Sequence, residues 1–231
     1  MAIAPGAALA KADAIESSSS FAWSSQMRYN IDSGTLTVQI CDFEQKYGHE
    51  YIGNCGCLVS TALSERANIC LTQAVRLYLG GSLTGPSGTG KTETTKDLSR
   101  SFGLVYYICN CSDQITQANL GHIFKGLAQL GAWACLDQFN RIELAVISVA
   151  SSHFKAVLDA QLHQKREFVL HGCSVKLNPN ASCTVFITMH QDYDHTVNVP
   201  ASLRALFRPC AMVQPETVHI IEVLLTSQGF S

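Results

Sequence analysis

Residues 85–92 have the types and the spacing of a phosphate-binding loop. They read GPSGTGKT and fit the pattern G-x-x-x-x-G-K-[ST], which is far more specific than a glycine-rich turn before a helix. Glycines let the backbone turn tightly and bring its N–H groups close to a phosphate. Lys91 adds a positive charge for the β- and γ-phosphates, and the Thr92 hydroxyl is a ligand for Mg²⁺. We therefore predict that these consecutive residues bind a nucleotide: Gly85, Pro86, Ser87, Gly88, Thr89, Gly90, Lys91, Thr92 and Glu93.

Asp137 is the candidate for the second half of such a site. It follows an apolar run that ends at Leu136 and has the pattern of a buried strand. Open α/β sheets place their ligand groups at the carboxyl ends of strands, and P-loop enzymes hold Mg²⁺ there with an acidic side chain. We predict that Asp137 and Thr92 share this metal. The alternative is that Asp137 only caps the following turn.

The segments around these residues predict an α/β fold. Apolar runs predict buried strands at 104–108, 132–136 and 183–188, with a further strand at 35–40 and a hairpin around Gly172. Apolar periodicity predicts helices over 64–79, 92–100, 117–130, 143–161, 202–207 and 216–227. Because strands and helices alternate after the phosphate-binding loop, we predict a mostly parallel sheet flanked by helices.

Local signals suggest where several of these elements begin and end. Ser64 is predicted to cap the helix at 64–79, and Gly80-Gly81 to end it, which leaves only 82–84 for the strand before the loop. The helix at 143–161 is predicted to carry Leu144 and other apolar residues on one side, and Ser151 interrupts that apolar side. Phe43, Tyr47 and Tyr51 are spaced either as one helical face or as scattered packing residues.

Composition and charge exclude several classes of protein. With a net charge of −2, the chain shows no sign of nucleic-acid or membrane binding. The ten cysteines include no C-x-x-C pair, so we predict reduced, mostly buried thiols and no structural zinc. No segment has the pattern of a signal peptide or a membrane span, which predicts a soluble intracellular protein. We divide it into a flexible lead-in (1–20), an N-terminal extension (21–63) and a large α/β unit (64–231).

Several motifs together resemble the first AAA+ module of dynein heavy chains, the axonemal branch more than the cytoplasmic one. The resemblance runs from about residue 23 to 230 and rests on six segments: EYIGN at 50–54, GPSGTGKTETTKDL at 85–98, FKGLAQ at 124–129, GAW at 131–133, DQFNRI at 137–142 and LRALFRP at 203–209. It implies a P-loop NTPase of the AAA+ type without its lid subdomain. It also implies a fragment of a heavy chain or a short divergent relative.

The function implied by the resemblance is an ATP-driven microtubule motor, with its main hydrolytic site in this module of a ring. ATP and Mg²⁺ would be the cofactors, held by Lys91, Thr92 and Asp137. The partners would be the other AAA+ modules of the ring and dynein-complex subunits, with microtubules reached only through the full heavy chain. The location would be the cytoplasmic cytoskeleton, in the axoneme of a cilium.

Three positions decide how far that function carries over. Gln138 replaces the family's Glu, which polarises the attacking water, and a primary amide cannot accept a proton near neutral pH. His190 falls on the family's sensor Asn, and the loop after it also departs from the family pattern. Arg208 matches a ring-interface position that supplies an arginine to a neighbour's phosphate. We expect hydrolysis to be slowed by roughly 10²–10⁴-fold, as for a lost general base.

Two alternatives remain open from the residues. The chain could be a nucleotide-binding pseudoenzyme that uses ATP to fix a conformation or an interface, which Gln138 and His190 favour. It could instead hold a metal through four residues in one loop: His190, Asp192, Asp194 and His195. Clusters of polar residues in loops are usually only solvated, so this second alternative is the weaker one.

Overall fold

The computed structural model describes residues 17–170, 172–178, 182–190 and 199–230. Its helices are α1 (Phe21–Ser24), α2 (Ala62–Arg76), α3 (Lys91–Ser101), α4 (Gln117–Leu130), α5 (Leu144–Leu162), α6 (Ala201–Arg204) and α7 (Thr217–Ser227), with a 3-10 turn at Phe139–Arg141. Its strands are β1 (Arg28–Asp32), β2 (Thr35–Ile40), β3 (Phe43–Lys46), β4 (Gly80–Thr84), β5 (Tyr106–Asn110), β6 (Trp133–Asp137), β7 (Glu167–Leu170), β8 (Cys173–Lys176), β9 (Thr184–Met189) and β10 (Phe207–Ala211).

A five-stranded parallel sheet organises the molecule, which confirms the predicted α/β class. Its strand order is β10-β4-β9-β6-β5, and every neighbouring pair is parallel. Strand β9 therefore lies between β4, which leads into the phosphate-binding loop, and β6, which ends at Asp137. Two smaller antiparallel units accompany the sheet: β1-β2-β3 and the predicted hairpin β7-β8.

Hydrophobic cores cover both faces of the parallel sheet. On one face α4 and α5 pack over alternate residues of β6 and β9, among them Leu136 and Ile187. On the other face α2, α3 and the β1-β2-β3 sheet enclose Trp133. The centroid of its ring lies 5.5 Å from the ring centroid of Phe102 and 5.5 Å from that of Phe186. Alternate residues of a strand point to opposite faces of the sheet. The same central strands therefore contribute side chains to both cores.

Strand β4 begins at Gly80, so the prediction that Gly80-Gly81 ends the preceding helix was wrong. Helix α2 ends at Arg76, and both glycines lie buried within the strand. A Cβ on Gly80 would stand 2.4 Å from the Phe207 ring, and one on Gly81 would stand 2.3 Å from Leu71. These glycines are required by close packing, which a sequence pattern cannot distinguish from a helix stop.

The start of α2 also differs from its prediction. Thr61, not Ser64, is the N-cap, and its side chain accepts a hydrogen bond from the Ser64 backbone N–H. The Ser64 hydroxyl accepts one from the Thr61 backbone N–H in return, at 2.8 Å. The two residues form a reciprocal capping box, which satisfies two otherwise unpaired donors.

The predicted helix at 202–207 is short and is followed by a strand that the sequence did not predict. Helix α6 ends at Arg204, and β10 pairs with β4 from Phe207 onward. Pro209 lies in β10, which is tolerated because β10 is an edge strand and proline lacks a backbone N–H.

Two further predictions about side chains were wrong. Strand β5 is an edge strand at Tyr106–Asn110 and exposes Tyr107 and Ile108, so it is not the fully buried strand predicted at 104–108. Leu144 is 49% exposed, so it does not face the core with the other apolar residues of its side of α5. Of the two interpretations of Phe43, Tyr47 and Tyr51, the single helical face is excluded, because Phe43 begins β3.

The described part of the chain contains no helix that is both long enough and apolar enough to cross a membrane. Of the segment predicted as a lead-in, residues 1–16 lie outside the described residues. The segment 21–63 contains the β1-β2-β3 sheet, whose Val38, Ile40 and Phe43 belong to the same core as Trp133.

Candidate nucleotide-binding site

The phosphate-binding loop connects β4 to α3 at the carboxyl end of the parallel sheet. Gly88 and Gly90 have φ angles of +76° and +78°, which residues with a side chain rarely adopt. Gly90 is the N-cap of α3, and no side chain caps the helix there. A helix that begins in this way directs its first N–H groups and the positive end of its dipole toward the loop, where an anion binds favourably.

Gly85 is required for a different reason, namely the close approach of a neighbouring strand. A Cβ on Gly85 would stand 2.1 Å from the carbonyl oxygen of Met212, the residue after β10. The Met212 backbone N–H also donates a hydrogen bond to the carbonyl oxygen of Thr84 at 2.8 Å. The edge strand therefore supports the first turn of the loop.

Lys91 is buried, with 4% of its surface exposed, and its ammonium group turns back into the loop. Its Nζ donates to the carbonyl oxygens of Gly85 at 2.9 Å and Pro86 at 2.5 Å. It also lies 3.5 Å from Nδ1 of His190. A buried ammonium that faces the loop is well placed to receive an anion, since burying a positive charge is costly unless it is paired.

Thr92 and Asp137 lie together, as the sequence predicted. The Thr92 hydroxyl donates to Oδ1 of Asp137 at 2.6 Å, although the two residues come from different elements. Thr188, fully buried on the intervening strand β9, donates to the same carboxylate oxygen at 2.5 Å. Two hydroxyls therefore fix one carboxylate at the carboxyl end of the sheet.

Gln138 follows Asp137 in a left-handed conformation, with φ of 55° and ψ of 44°. Its backbone N–H donates to the Thr188 hydroxyl at 3.0 Å, so Thr188 links Gln138 to Asp137. Non-glycine residues are uncommon in this region of φ and ψ, and they concentrate at functional sites. The conformation directs the chain away from β6 as soon as the strand ends.

His190 lies at the end of β9 and is positioned through its backbone. Its carbonyl oxygen accepts a hydrogen bond from Nδ2 of the buried Asn140 at 2.9 Å. The imidazole lies beside Lys91, so the predicted sensor position does reach the loop. The altered segment that follows, 191–198, lies outside the described residues.

Buried neutral groups surround the site on the β5 side. The Tyr106 hydroxyl and the Thr95 hydroxyl are 2.5 Å apart, and burial raises the pKa of the Tyr106 phenol. Burial also raises the pKa of the Cys135 thiol to about 12. Both groups therefore stay protonated at neutral pH and add no negative charge beside Asp137.

Two of the predicted residues lie away from this cluster. The Glu93 carboxylate is at the surface of α3 and forms an ion pair with Lys96 at 3.3 Å. Arg208 is exposed on β10 and is paired in register with Gly81, in the half of β4 farther from the loop. Within one chain Arg208 is thus separate from the phosphate-binding loop.

The residues present fit a nucleotide with Mg²⁺. The loop offers backbone N–H groups and the Lys91 ammonium to phosphates, while Thr92 and Asp137 offer oxygen ligands of the kind that Mg²⁺ prefers. The hydrogen bond between these two oxygens shows that both point to one place. The described residues contain no group of three or more His, Cys, Asp or Glu side chains that could hold a metal by themselves. The alternative site at His190 depends on Asp192, Asp194 and His195, which lie outside those residues.

Sequence reasoning missed two residues of the site, Thr188 and Asn140. The apolar pattern predicts only a buried strand around Thr188, although a hydroxyl near the end of a central apolar strand needs a polar partner. Asn140 belongs to the segment DQFNRI, which was used only for the family resemblance. A polar residue three positions after the predicted ligand Asp137, in the turn that follows the strand, is the signal that could have identified Asn140.

Comparison with known proteins, like the geometry, indicates a nucleotide-binding region. The family model described as the hydrolytic ATP binding site of the dynein motor region matches residues 47–231. The flagellar outer-arm dynein beta chain of Chlamydomonas reinhardtii is 50% identical over 218 residues, which cover 94% of this chain and 5% of that protein. Dynein axonemal heavy chain 17 of Mus musculus is 46% identical over 224 residues, 96% of this chain and 5% of that protein. This chain therefore spans one small part of the length of these relatives.

A solved structure supports the fold. The RuvB Holliday junction branch migration motor of Thermotoga maritima has a TM-score of 0.50 with this chain at 15% identity, over 74% of this chain and 52% of that chain. At that identity the similarity concerns the fold alone, and it agrees with the predicted AAA+-type architecture. The sequence matches go further, because they combine high identity with nearly complete coverage of this chain. The chain belongs to the dynein family, in which it matches the hydrolytic ATP-binding region of the motor.

Proposed function

We propose that this chain is the ATP-binding module of an axonemal dynein-type motor, and that it binds ATP with Mg²⁺ but hydrolyses it slowly. The observation that carries this proposal is the meeting of Lys91, Thr92 and Asp137 at the carboxyl end of the sheet. In the longer protein, binding and hydrolysis at this site would be coupled to movement along microtubules. The names of the relatives support an axonemal location on the cytoskeleton.

The domain division of the sequence is part of the same proposal. Residues 64–231 would form the large α/β subdomain, and 21–63 would form an extension that leads into it. Supporting this, the β1-β2-β3 sheet packs on one face of the parallel sheet instead of joining it. The partners would be further AAA+ modules of a ring, and the exposed Arg208 would reach toward a neighbour's phosphate.

Binding follows from what the residues of the loop do. The backbone N–H groups and the Lys91 ammonium would hold the phosphates, which replaces the carbonyl contacts that Lys91 makes at Gly85 and Pro86. Thr92 and Asp137 would hold Mg²⁺, and the metal would neutralise charge on the phosphate oxygens. Thr188 keeps the Asp137 carboxylate oriented while this happens.

Slow hydrolysis follows from Gln138. An amide side chain can orient a water molecule through hydrogen bonds, but it cannot accept the proton that the water must lose. His190 is the neighbouring group with a ring nitrogen, and its Nδ1 already lies beside Lys91. The second candidate function, a pseudoenzyme that binds ATP without turnover, is favoured by the same two residues.

Single-turnover hydrolysis beside a binding titration tests the proposal. We expect the unmodified chain to bind Mg-ATP and to release phosphate slowly. Gln138→Glu should raise the single-turnover rate by roughly 10²–10⁴-fold, because it supplies a carboxylate as general base. Gln138→Asn is the matched control, since it keeps an amide and should give no such gain.

Three other outcomes would change the conclusion. If the unmodified chain binds Mg-ATP tightly without releasing phosphate, and Gln138→Glu does release phosphate, the result would support the pseudoenzyme. Binding that Gln138→Glu cannot convert into turnover would show that residues beyond this position limit the reaction. Absence of Mg-ATP binding in the unmodified chain would contradict both candidate functions.

A further inference from the structure

A pair of cysteines lies at the contact between α2 and β10, apart from the phosphate-binding loop. Cys210 on β10 packs against the same hydrophobic core as Ala67 and Leu71 of α2, and its thiol interacts with that of Cys70 on α2. The Cys70 sulfur also lies 3.7 Å from the carbonyl oxygen of Pro209. Both cysteines are partly exposed and unoxidised. Two cysteines from distant parts of the chain thus lie at one contact between α2 and β10, and both are accessible to a small molecule.

Two arginines place positive charge on this pair. Arg66 lies one helical turn before Cys70, and Arg208 lies two residues before Cys210 on the same face of β10. Among the described residues, neither guanidinium forms an ion pair with a carboxylate. The hydrogen bond from Cys210, together with Arg208 and Arg66, lowers the pKa of the Cys70 thiol to about 6.

The partner thiol has the opposite character. Its hydrogen bond to Cys70, with burial, raises the pKa of Cys210. As the pH rises, Cys70 therefore loses its proton first, while Cys210 keeps its own. A low-pKa, accessible thiolate beside a second cysteine is the arrangement found in redox-sensing sites.

We propose that Cys70 and Cys210 form a reversible disulfide when the protein meets a peroxide. The inference does not depend on nucleotide binding, because both cysteines lie outside the phosphate-binding loop. It adds a modification site to the edge strand that carries Arg208.

The chemistry balances in two steps with hydrogen peroxide as the oxidant. The Cys70 thiolate attacks one peroxide oxygen, the O–O bond breaks, and the released hydroxide takes up a proton to become water. This leaves a sulfenic acid on Cys70. The Cys210 sulfur then attacks the Cys70 sulfur, an S–S bond forms, the S–O bond breaks, and the hydroxyl leaves with the Cys210 proton as water. The two sulfurs lose two electrons, and the peroxide gains them.

Oxidation would change this edge of the sheet in two ways. It would fasten β10 to α2 and close a long loop of chain, which raises stability by limiting the unfolded state. It would also remove the negative charge between Arg66 and Arg208, so that the Arg208 side chain loses its thiolate partner. Strand β10 supports the phosphate-binding loop through Met212, so the cross-link acts on an element next to that site.

A second cysteine pair provides an internal comparison. Cys109 and Cys111 also interact, and the hydrogen bond from Cys111 lowers the pKa of Cys109 to about 7. Cys111 is buried, however, and its backbone N–H is held by the carbonyl oxygen of Asp137 at 2.9 Å. Since a disulfide needs both sulfurs to approach freely, we expect this pair to react more slowly with peroxide.

Peptide mapping by mass spectrometry tests the proposal on the 231-residue chain without nucleotide. Trypsin releases Cys70 in peptide 67–76 and Cys210 in peptide 205–231, each with a single cysteine. After hydrogen peroxide we expect these two peptides to be joined as the main oxidised product, and dithiothreitol to separate them. The melting temperature of the oxidised protein should rise by about 5–10 °C.

Cysteine variants supply the controls. Cys70→Ser and Cys210→Ser should each abolish both the linked peptide and the rise in melting temperature, while Cys173→Ser, at an exposed cysteine, should change neither. If one of the first two variants fails to fold, the other still answers the question. A stable sulfenic or sulfinic acid on Cys70 without the link, or a main link between other cysteines, would overturn the proposal. Because no nucleotide is present, failure here would leave the proposed ATP binding untouched.

Discussion

At the scale of single residues, the carboxylate of Asp137 is the centre of the site. The hydroxyls of Thr92 and Thr188 both donate a hydrogen bond to the same oxygen of this carboxylate. Thr92 precedes Asp137 in the sequence, and Thr188 follows it. Thr92 is expected to exchange this contact for a metal ion, whereas the buried Thr188 remains bound to Asp137 and to the backbone of Gln138. Thr188 is thus a positioning residue for the metal ligand and for the residue that follows it.

Thr188→Val is the first prediction at this scale. Valine keeps the shape of threonine but removes the hydroxyl, so the Asp137 carboxylate loses its fixed orientation. We expect the affinity for Mg²⁺ with ATP to fall by about 10–100-fold, as for other groups that orient metal ligands. A magnesium titration of nucleotide binding measures it.

Thr184→Val is the matched control, because Thr184 is also buried on β9 but at the opposite end of the strand from the site. It should leave the magnesium dependence unchanged. Equal effects of the two variants would show that Thr188 acts only through packing.

At the scale of elements, close contacts decide several boundaries that sequence patterns could not. The phosphate-binding loop, α4 and the buried strands β6 and β9 were predictable, because their motif or apolar period is local. The extent of β4 and the existence of β10 were not, because each depends on the other strand. The Phe207 ring on β10 occupies the space where a Cβ of Gly80 would lie, so this position of β4 requires glycine.

Gly80→Ala tests this account of β4. The added methyl group would stand 2.7 Å from the Val185 carbonyl oxygen as well as against Phe207, so the neighbouring strands must shift. We expect the free energy of unfolding to fall by about 1–3 kcal/mol, as for other overpacked cores. Urea denaturation measures this change.

Gly126→Ala is its counterpart in α4, where an added Cβ meets no atom within 4 Å. There the free energy of unfolding should stay unchanged or rise by up to about 1 kcal/mol, since alanine is the better helix former. A larger loss at Gly126 than at Gly80 would contradict this interpretation of the sheet.

The residues of the site differ in how far sequence could predict them. Lys91, Thr92 and Asp137 belong to a motif with fixed spacing, and the structure brings them together. Thr188 and Asn140 contribute through hydrogen bonds to residues 50 or more positions away, which no local pattern encodes. The placement of Arg208 away from the loop could not be predicted, because its strand β10 was not predicted.

At the scale of the whole molecule, the core ends before the last helix. Helix α7 has no buried residues and exposes an apolar set: Val218, Ile221, Val223, Leu224 and Leu225. Both hydrophobic cores are complete without it. The stability of the chain should therefore come from the parallel sheet and from helices α2 to α5.

Ile221→Gln and Leu224→Gln test this division. We expect each to change the free energy of unfolding by less than about 0.5 kcal/mol, as for surface substitutions in general. Phe154→Ala in α5 should lower it by about 3–5 kcal/mol, because that ring is buried and stacks on Phe207. A loss of more than about 2 kcal/mol in either α7 variant would show that α7 packs on the core.

Isothermal calorimetry with Mg-ATP tests the central claim most directly, on the unmodified chain, Lys91→Ala and Lys155→Ala. Lys155 is an exposed lysine of α5 and is the control for loss of one positive charge. We predict that the unmodified chain and Lys155→Ala bind Mg-ATP with the same heat and affinity, and that Lys91→Ala gives no binding heat. Equal heat from all three proteins, or none from the unmodified chain, would contradict the assignment of a nucleotide site to Lys91, Thr92 and Asp137.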